Sequence, residues 1–226
     1  MKQNENIISI LERHKATFYP LIPGLKKDDL MLLDFSKDSP YLSGIDLRDT
    51  ATFSQLIFGQ VLKGKTGIGG FFENRIIYRR STHYDGDEPR SLHLGLDIWK
   101  AAGTQLFSPL AGIIHSVQDN QGFGNYGPTL IMEHQLESVK FYALYGHLTH
   151  ESIQNRQVGE MLEKGQWVGS IGNFPDNGDW PPHLHWQIMS DMLGHVGDFP
   201  GVAAPSDHHF YLQYCIDPHY LLVLTE

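Results

Sequence analysis

The strongest constraint on this chain is a change of period near Gly70. Before it, apolar residues recur at helical spacing. After it, they come in short runs of β-formers separated by Gly, Pro, Asn and Asp. The runs over 76–78, 92–98, 112–117, 130–134, 140–148 and 184–189 read as strands. They are too short and too regularly punctuated for a helical bundle. Gly122-Phe-Gly-Asn-Tyr-Gly127 lies between two of them and reads as a glycine-rich hairpin loop on the rim of a groove. A dinucleotide site would need a helix after that loop, whereas Pro128 and a β-forming run follow.

The residues before the change are mixed. Ile7, Ile8, Ile10 and Leu11 predict a short amphipathic helix ended near Pro20, and 30–35 a strand. Phe53, Leu56, Ile57 and Val61 predict a helix over 50–62, with Asp49 and Thr50 as candidate caps. The Lys- and Gly-rich stretch 63–70 reads as a turn. The expected division is a mixed N-terminal segment over 1–75 and a β-rich domain over 76–226. The class is mostly β, α+β overall, with the apolar end (211–224) packed on the body.

Composition narrows the chemistry. Lys and Arg number 17 against 26 Asp and Glu, a net charge of −9 with no basic cluster, which argues against nucleic acid as a partner. The single cysteine, Cys215, excludes an internal disulfide and a CxxC metal knuckle, and reads as a small buried hydrophobe. No apolar run approaches the ~18 residues of a membrane span. Glu12, Arg13, His14 and Lys15 interrupt any signal-like stretch, so a cytoplasmic location is favoured, with the periplasm or another export route left open. Thirteen histidines make metal or proton chemistry the class to search.

Three stretches carry that chemistry. In RSLHLGLDIW, strand alternation puts Leu92, Leu94, Leu96 and Ile98 on one face and His93, Gly95 and Asp97 on the other. On an extended strand His93 and Asp97 stand about 13 Å apart. To meet at one ion, the strand must break, and Gly95 permits that. In WPPHLHWQI, His183 and His185 share a face, with Leu184, Trp186 and Ile188 turned to the core. In FYALYGHLT, Phe141, Ala143, Tyr145 and His147 are expected on one face, with Tyr142, Leu144 and Leu148 on the other. A catalytic zinc takes three protein ligands and keeps one position for water, whose pKa it lowers toward ~7. Five such residues would leave two histidines for proton transfer and oxyanion stabilisation.

In this order, the motifs resemble the M23 metallopeptidases, the lysostaphin- and LytM-type peptidoglycan endopeptidases. The resemblance runs from about Arg90 to Asp191 through HLGLDIW, AGTQLFSPLAGII, NYGPTLIMEH, LYGHLT, VGEMLEKGQWVGSIGN and PPHLHWQI. It implies a compact antiparallel β-sheet domain with a groove on one sheet face. Carried over by position, it implies one zinc ion held by His93, Asp97 and His185, with His147 and His183 unliganded beside it. It further implies cleavage, by zinc-bound water, of short peptide bonds in bacterial cell-wall peptidoglycan or its fragments. Which of His147 and His183 is the general base stays open. Residues 1–75 do not resemble a wall-binding repeat. They are expected either to cap the sheet or to occlude the groove as a pro-segment.

Other motifs fail on their own terms. His150-Glu151 is not followed by the second histidine of a zincin helix, and Ser170 lacks the first glycine of a nucleophile elbow. Asp176-Asn-Gly-Asp179 has turn composition and lacks the later bidentate Glu of a calcium loop. The remaining histidines are expected to be structural or surface residues, with His208-His209 an exposed pair. Arg90, Tyr126, Trp180 and Gln187 are candidate groove residues, Trp180 either stacking on a sugar or anchoring its loop. Two other functions fit parts of the pattern. One is a non-haem Fe(II) oxygenase, whose ligands are usually spaced HxD or HxE. The other is a catalytically silent M23-like binding or regulatory domain.

Overall fold

The structure, a computed structural model, describes residues 2–225. Its strands are β1 Leu30–Leu33, β2 Thr66–Gly69, β3 Leu92–His93, β4 Leu96–Trp99, β5 Gln105–Phe107, β6 Gly112–Asn120 and β7 Gly127–Leu136. They continue with β8 Val139–Gly146, β9 Met161–Leu162, β10 Trp167–Ser170, β11 His183–Met189, β12 Val202–Ala203 and β13 Cys215–Ile216. Among the described residues, nine strands form one sheet in the order β1-β2-β4-β11-β8-β7-β6-β9, with β13 paired to β11. All pairings are antiparallel except β1 with β2. The fold is mostly β with a few short helices, the class expected.

Alternation along the central strands sorts the core. Leu96, Ile98, Leu184, Trp186, Ile188, Leu130, Met132 and Tyr145 point to one side. There they meet Ile7 and Leu11 of the first helix, α1 (Lys2–His14), and Leu221 and Leu222 near the end of the chain. Each such side chain, fully buried, contributes roughly 1.5–3 kcal/mol of transfer free energy. The helix carries Glu5 in its first turn and Arg13 and His14 in its last, which suits its dipole. The other side of the sheet bears the site. It is flanked by an apolar cluster around Leu94, Leu144 and Met189 and an aromatic one around Phe35, Phe53, Trp99 and Trp180. Among the described residues, no helix is long and apolar enough to cross a membrane.

Several local expectations change. The 76–78 run is no strand: Ile77–Arg80 is a 3₁₀ turn. Ile77, Tyr78 and Arg80 are all buried, a spacing that a two-fold alternation cannot supply. The 63–70 stretch turns only at Lys63 and Gly64, both at positive φ, and then forms β2, slotted between β1 and β4. The 50–62 helix starts as an α-helix capped by Asp49, whose side chain accepts from the Ala51 and Thr52 N–H groups. It continues as a π-helix over Gln55–Leu62.

Candidate metal centre and its pocket

The 92–98 run is two strands, β3 and β4, broken at Leu94 and Gly95. The break reverses the faces. Leu96 and Ile98 join the core beneath the sheet, while Leu92 and Leu94 pack on the opposite side. A single face for all four leucine and isoleucine residues is therefore corrected. The break also brings His93 and Asp97 together, with His93 Nε2 3.1 Å from Asp97 Oδ1. Gly95 is required there, because a Cβ would lie 2.8 Å from the His185 ring. Antiparallel pairing of β11 with β4 sets His185 directly opposite Asp97. His185 Nδ1 lies 3.2 Å from Asp97 Oδ1 and 3.0 Å from His93 Nε2.

The hydrogen-bond partners outside this triangle fix its ring tautomers. His93 Nδ1 donates to Gly70 O at 2.8 Å. His185 Nε2 donates to Gln187 Oε1 at 2.9 Å, and Gln187 is itself oriented by donating to Pro200 O. Each imidazole therefore turns a bare nitrogen toward the other and toward Asp97. Placing a ring proton between them would strip Gly70 O or Gln187 Oε1 of its donor. Asp97 Oδ1 is buried and makes no hydrogen bond. Three lone-pair donors within 3.2 Å of one another, all buried, are an arrangement that a cation stabilises. Two nitrogens and one oxygen on edges of this length suit zinc, whose bonds of about 2.0–2.2 Å space tetrahedral ligand atoms about 3.3 Å apart. Asp97 pays for burial, but His93, Arg75 and His183 outweigh that and hold its carboxyl well below the usual range. Burial, with the Arg75 charge adding to it, pushes His93 down to about 3.

His147 and His183 stand beside this triangle, their rings 4.3 Å apart. His183 follows from β11 alternation and stacks on Trp99 at 4.2 Å. His147 does not follow from alternation. Strand β8 ends at Gly146, and His147 adopts φ 61°, which turns it away from Tyr145 and the core toward the site. Leu148 takes the core position instead, so the expected faces of this stretch are corrected. Both histidines donate Nδ1–H to a backbone carbonyl at 2.8 Å, His147 to Asn177 and His183 to Pro181. Both therefore keep Nε2 free to accept a proton. Burial lowers His183 to about 4 and drives His147 well below its ordinary value, with the neighbouring histidines adding to the latter. Both are neutral near pH 7.

Above them lies a cavity of about 170 Å³. Asp97, His147, His183 and His185 form its floor, and residues from 77–90 and 195–202 form its wall. Of the candidate groove residues, Arg90, Tyr126 and Trp180 reach the cavity, while Gln187 is fully buried beneath it. Trp180 is 2% exposed and lies under the Arg80 guanidinium, so it anchors its loop. Asn125 and Tyr126 place the 122–127 loop on the rim as expected. His83 and His195, set aside as structural or surface residues, also line the cavity. Sequence reasoning missed Arg75, Tyr78 and Tyr84. Arg75 is buried and bound to Asp97, yet nothing in the local pattern separates it from exposed Arg79.

A mostly β fold bearing a buried His–Asp–His triangle with two further histidines beside it defines the class as a β scaffold with a group that could hold a metal ion. Residues 91–196 match the model of peptidase family M23. No curated protein matches the chain. Among solved structures, it is similar to a peptidase M23 from Pseudomonas aeruginosa, with 22% identity and a TM-score of 0.39 over 62% of this chain and 49% of that one. It is also similar to a zinc-containing peptidase from Vibrio cholerae, with 23% identity and a TM-score of 0.36 over 43% of this chain and 27% of that one. The catalytic domain of lysostaphin from Staphylococcus simulans matches at 24% identity and a TM-score of 0.36, over 54% and 80% of the two chains. The chain thus spans about half the length of the first of these and about a quarter of the second.

Proposed function

We propose that this protein is a zinc-dependent endopeptidase acting on short peptide bonds of bacterial peptidoglycan or its fragments. The observation that carries the reading is the orphaned Asp97 Oδ1 facing two bare imidazole nitrogens in a segment that matches a peptidase family. His93 Nε2, Asp97 Oδ1 and His185 Nδ1 would hold one zinc ion. That ion would supply Lewis acidity and a water of lowered pKa. With two neutral nitrogens and one carboxylate, the site keeps a net +1 charge, so its Lewis acidity is not quenched. The wall-peptide substrate class rests on the motif resemblance.

The remaining steps belong to the protein. One of His147 and His183 accepts a proton at Nε2 as general base and returns it to the departing amine. The other, neutral with its own Nε2 bare, accepts a hydrogen bond there from the substrate's amide N–H and so orients the substrate. The carbonyls of Asn177 and Pro181 hold both rings in the tautomer this needs. The aromatic wall of Tyr78, Tyr84 and Tyr126 narrows the pocket around the reacting bond and displaces water from it.

The test is elemental analysis of untagged protein purified without added metal, beside His93→Ala, followed by hydrolysis of wall peptides. About one zinc per chain, lost in the variant, together with cleavage that chelation abolishes, is the expected result. Zinc without cleavage of any wall peptide would overturn the substrate class, and iron in place of zinc would overturn the hydrolytic reading.

A further inference from the structure

We propose that Arg75, which lies outside the segment matched to the peptidase family, is a positioning residue that fixes Asp97 as a single-oxygen metal ligand. This inference rests on the metal-centre reading above. Arg75 Nη1 donates to Asp97 Oδ2, which leaves Oδ1 as the oxygen turned toward His93 and His185. The guanidinium is itself held from several sides. Its Nε donates to Glu73 Oε2 at 2.7 Å, and Glu73 Oε1 in turn accepts the Phe35 N–H at 2.7 Å. Tyr78 OH and Gly70 O lie 3.4 Å from its terminal nitrogens. Gly70 O is also the acceptor for His93 Nδ1. One short stretch, 70–75, therefore orients two of the three candidate ligands.

The space for this device is reserved. A Cβ at position 69 would lie 2.6 Å from Arg75 Nη2, so the strand facing Asp97 carries Gly69. The Arg75 side chain is fully buried, with the Phe35 ring 5.4 Å from its guanidinium carbon. Burial works against its charge, but Asp97, Tyr78 and Glu73 outweigh it and keep the guanidinium protonated. A planar fork with several fixed donors serves Glu73 and Asp97 together, whereas an ammonium is a point charge on a flexible stem. With Oδ2 occupied, the carboxylate cannot chelate through both oxygens. A zinc ion held there would keep three protein ligand atoms and one position open.

The test measures zinc affinity by chelator competition at a temperature well below unfolding. It compares wild type, Arg75→Met, Arg75→Lys and Glu73→Gln, and adds the visible spectrum of each cobalt(II)-loaded protein. Groups that orient metal ligands typically contribute about ten- to a hundredfold in affinity, and Arg75→Met should lose that much. Arg75→Lys should lose roughly tenfold and Glu73→Gln less, in line with the loss of the fork. The cobalt absorption should weaken in the Arg75 variants as the freed carboxylate binds through both oxygens and the coordination number rises. If Arg75→Met does not fold, Arg75→Lys and Glu73→Gln decide by the same two readouts. Wild-type affinity within twofold and an unchanged cobalt spectrum in the folded variants would overturn the inference and leave the metal centre standing. Failure of wild type itself to take up a metal would overturn the centre, and the inference with it.

Discussion

The floor and the wall of the pocket are built in different ways. The floor consists of side chains on β4, β11 and the end of β8, paired through regular antiparallel hydrogen bonds. The wall consists of 3₁₀ turns and loops over 77–90 and 195–202, held by aromatic packing and single hydrogen bonds such as Tyr84 OH to Gly124 O. Strands carry residues that must be placed to a fraction of an ångström, because a paired ladder leaves little room for displacement. Loops carry residues that shape access. Residues 70–75 belong to neither. They come from the wall side of the chain and reach under the floor, through Arg75 to Asp97 and Gly70 O to His93.

Removing a candidate ligand of the triangle should have the largest effect. His93→Ala should abolish bound zinc and lower peptide hydrolysis at least a thousandfold, since a metal supplies several kcal/mol of charge stabilisation. Retained zinc and activity would show that the triangle is not the centre. The next largest effect should come from His147→Gln and His183→Gln. Each should reduce turnover by about 10²–10⁴ with zinc content unchanged. Loss of zinc in either variant would merge the two parts of the floor into one ligand set.

Away from the pocket, His134 of β7 tests whether floor chemistry can be separated from sheet stability. Burial pushes His134 down to about 4 in the fold, against 6.5 for a free imidazole. The fold holds the neutral ring, so its contribution is complete above about pH 6.5. It is lost as the pH falls from there through 4, up to about 3 kcal/mol in all. Replacing it by Gln, which can still donate to Ala111 O, should flatten chemical denaturation profiles across that window by a like amount and leave zinc affinity alone. An unaltered pH profile would remove His134 from the account. The smallest effect should be in the wall. Tyr84→Phe leaves the Gly124 carbonyl without its donor and should cost about 1–2 kcal/mol of stability. Zinc affinity should not change. If it does, the wall and floor are coupled more widely than through residues 70–75.

Much of the floor is legible in the sequence because strand alternation is a local rule. His183 and His185 share a face by their spacing alone, and the 92–98 run announces a glycine where a break is needed. The same rule misplaces His147. Its left-handed backbone lies one residue beyond the strand, where alternation no longer applies. It also misplaces Leu92 and Leu94, because the break that joins His93 to Asp97 reverses the faces before it. The run over 76–78 has β-forming composition, yet Ile77 and Tyr78 are buried in a 3₁₀ turn, with Tyr78 packed against Tyr84 and Trp180.

The sequence by itself determined the mostly β class of fold, which depends on residue type and on periods of a few residues, and it offered four histidines and one aspartate as candidates. Their division into three ligands and two unliganded histidines is implied by the motif resemblance. Only the tertiary structure decided which atoms meet: Nε2 of His93 with Nδ1 of His185, Oδ1 rather than Oδ2 of Asp97, and Arg75 beneath them. Those choices depend on hydrogen bonds to Gly70, Gln187 and Glu73, made across separations that no local period encodes.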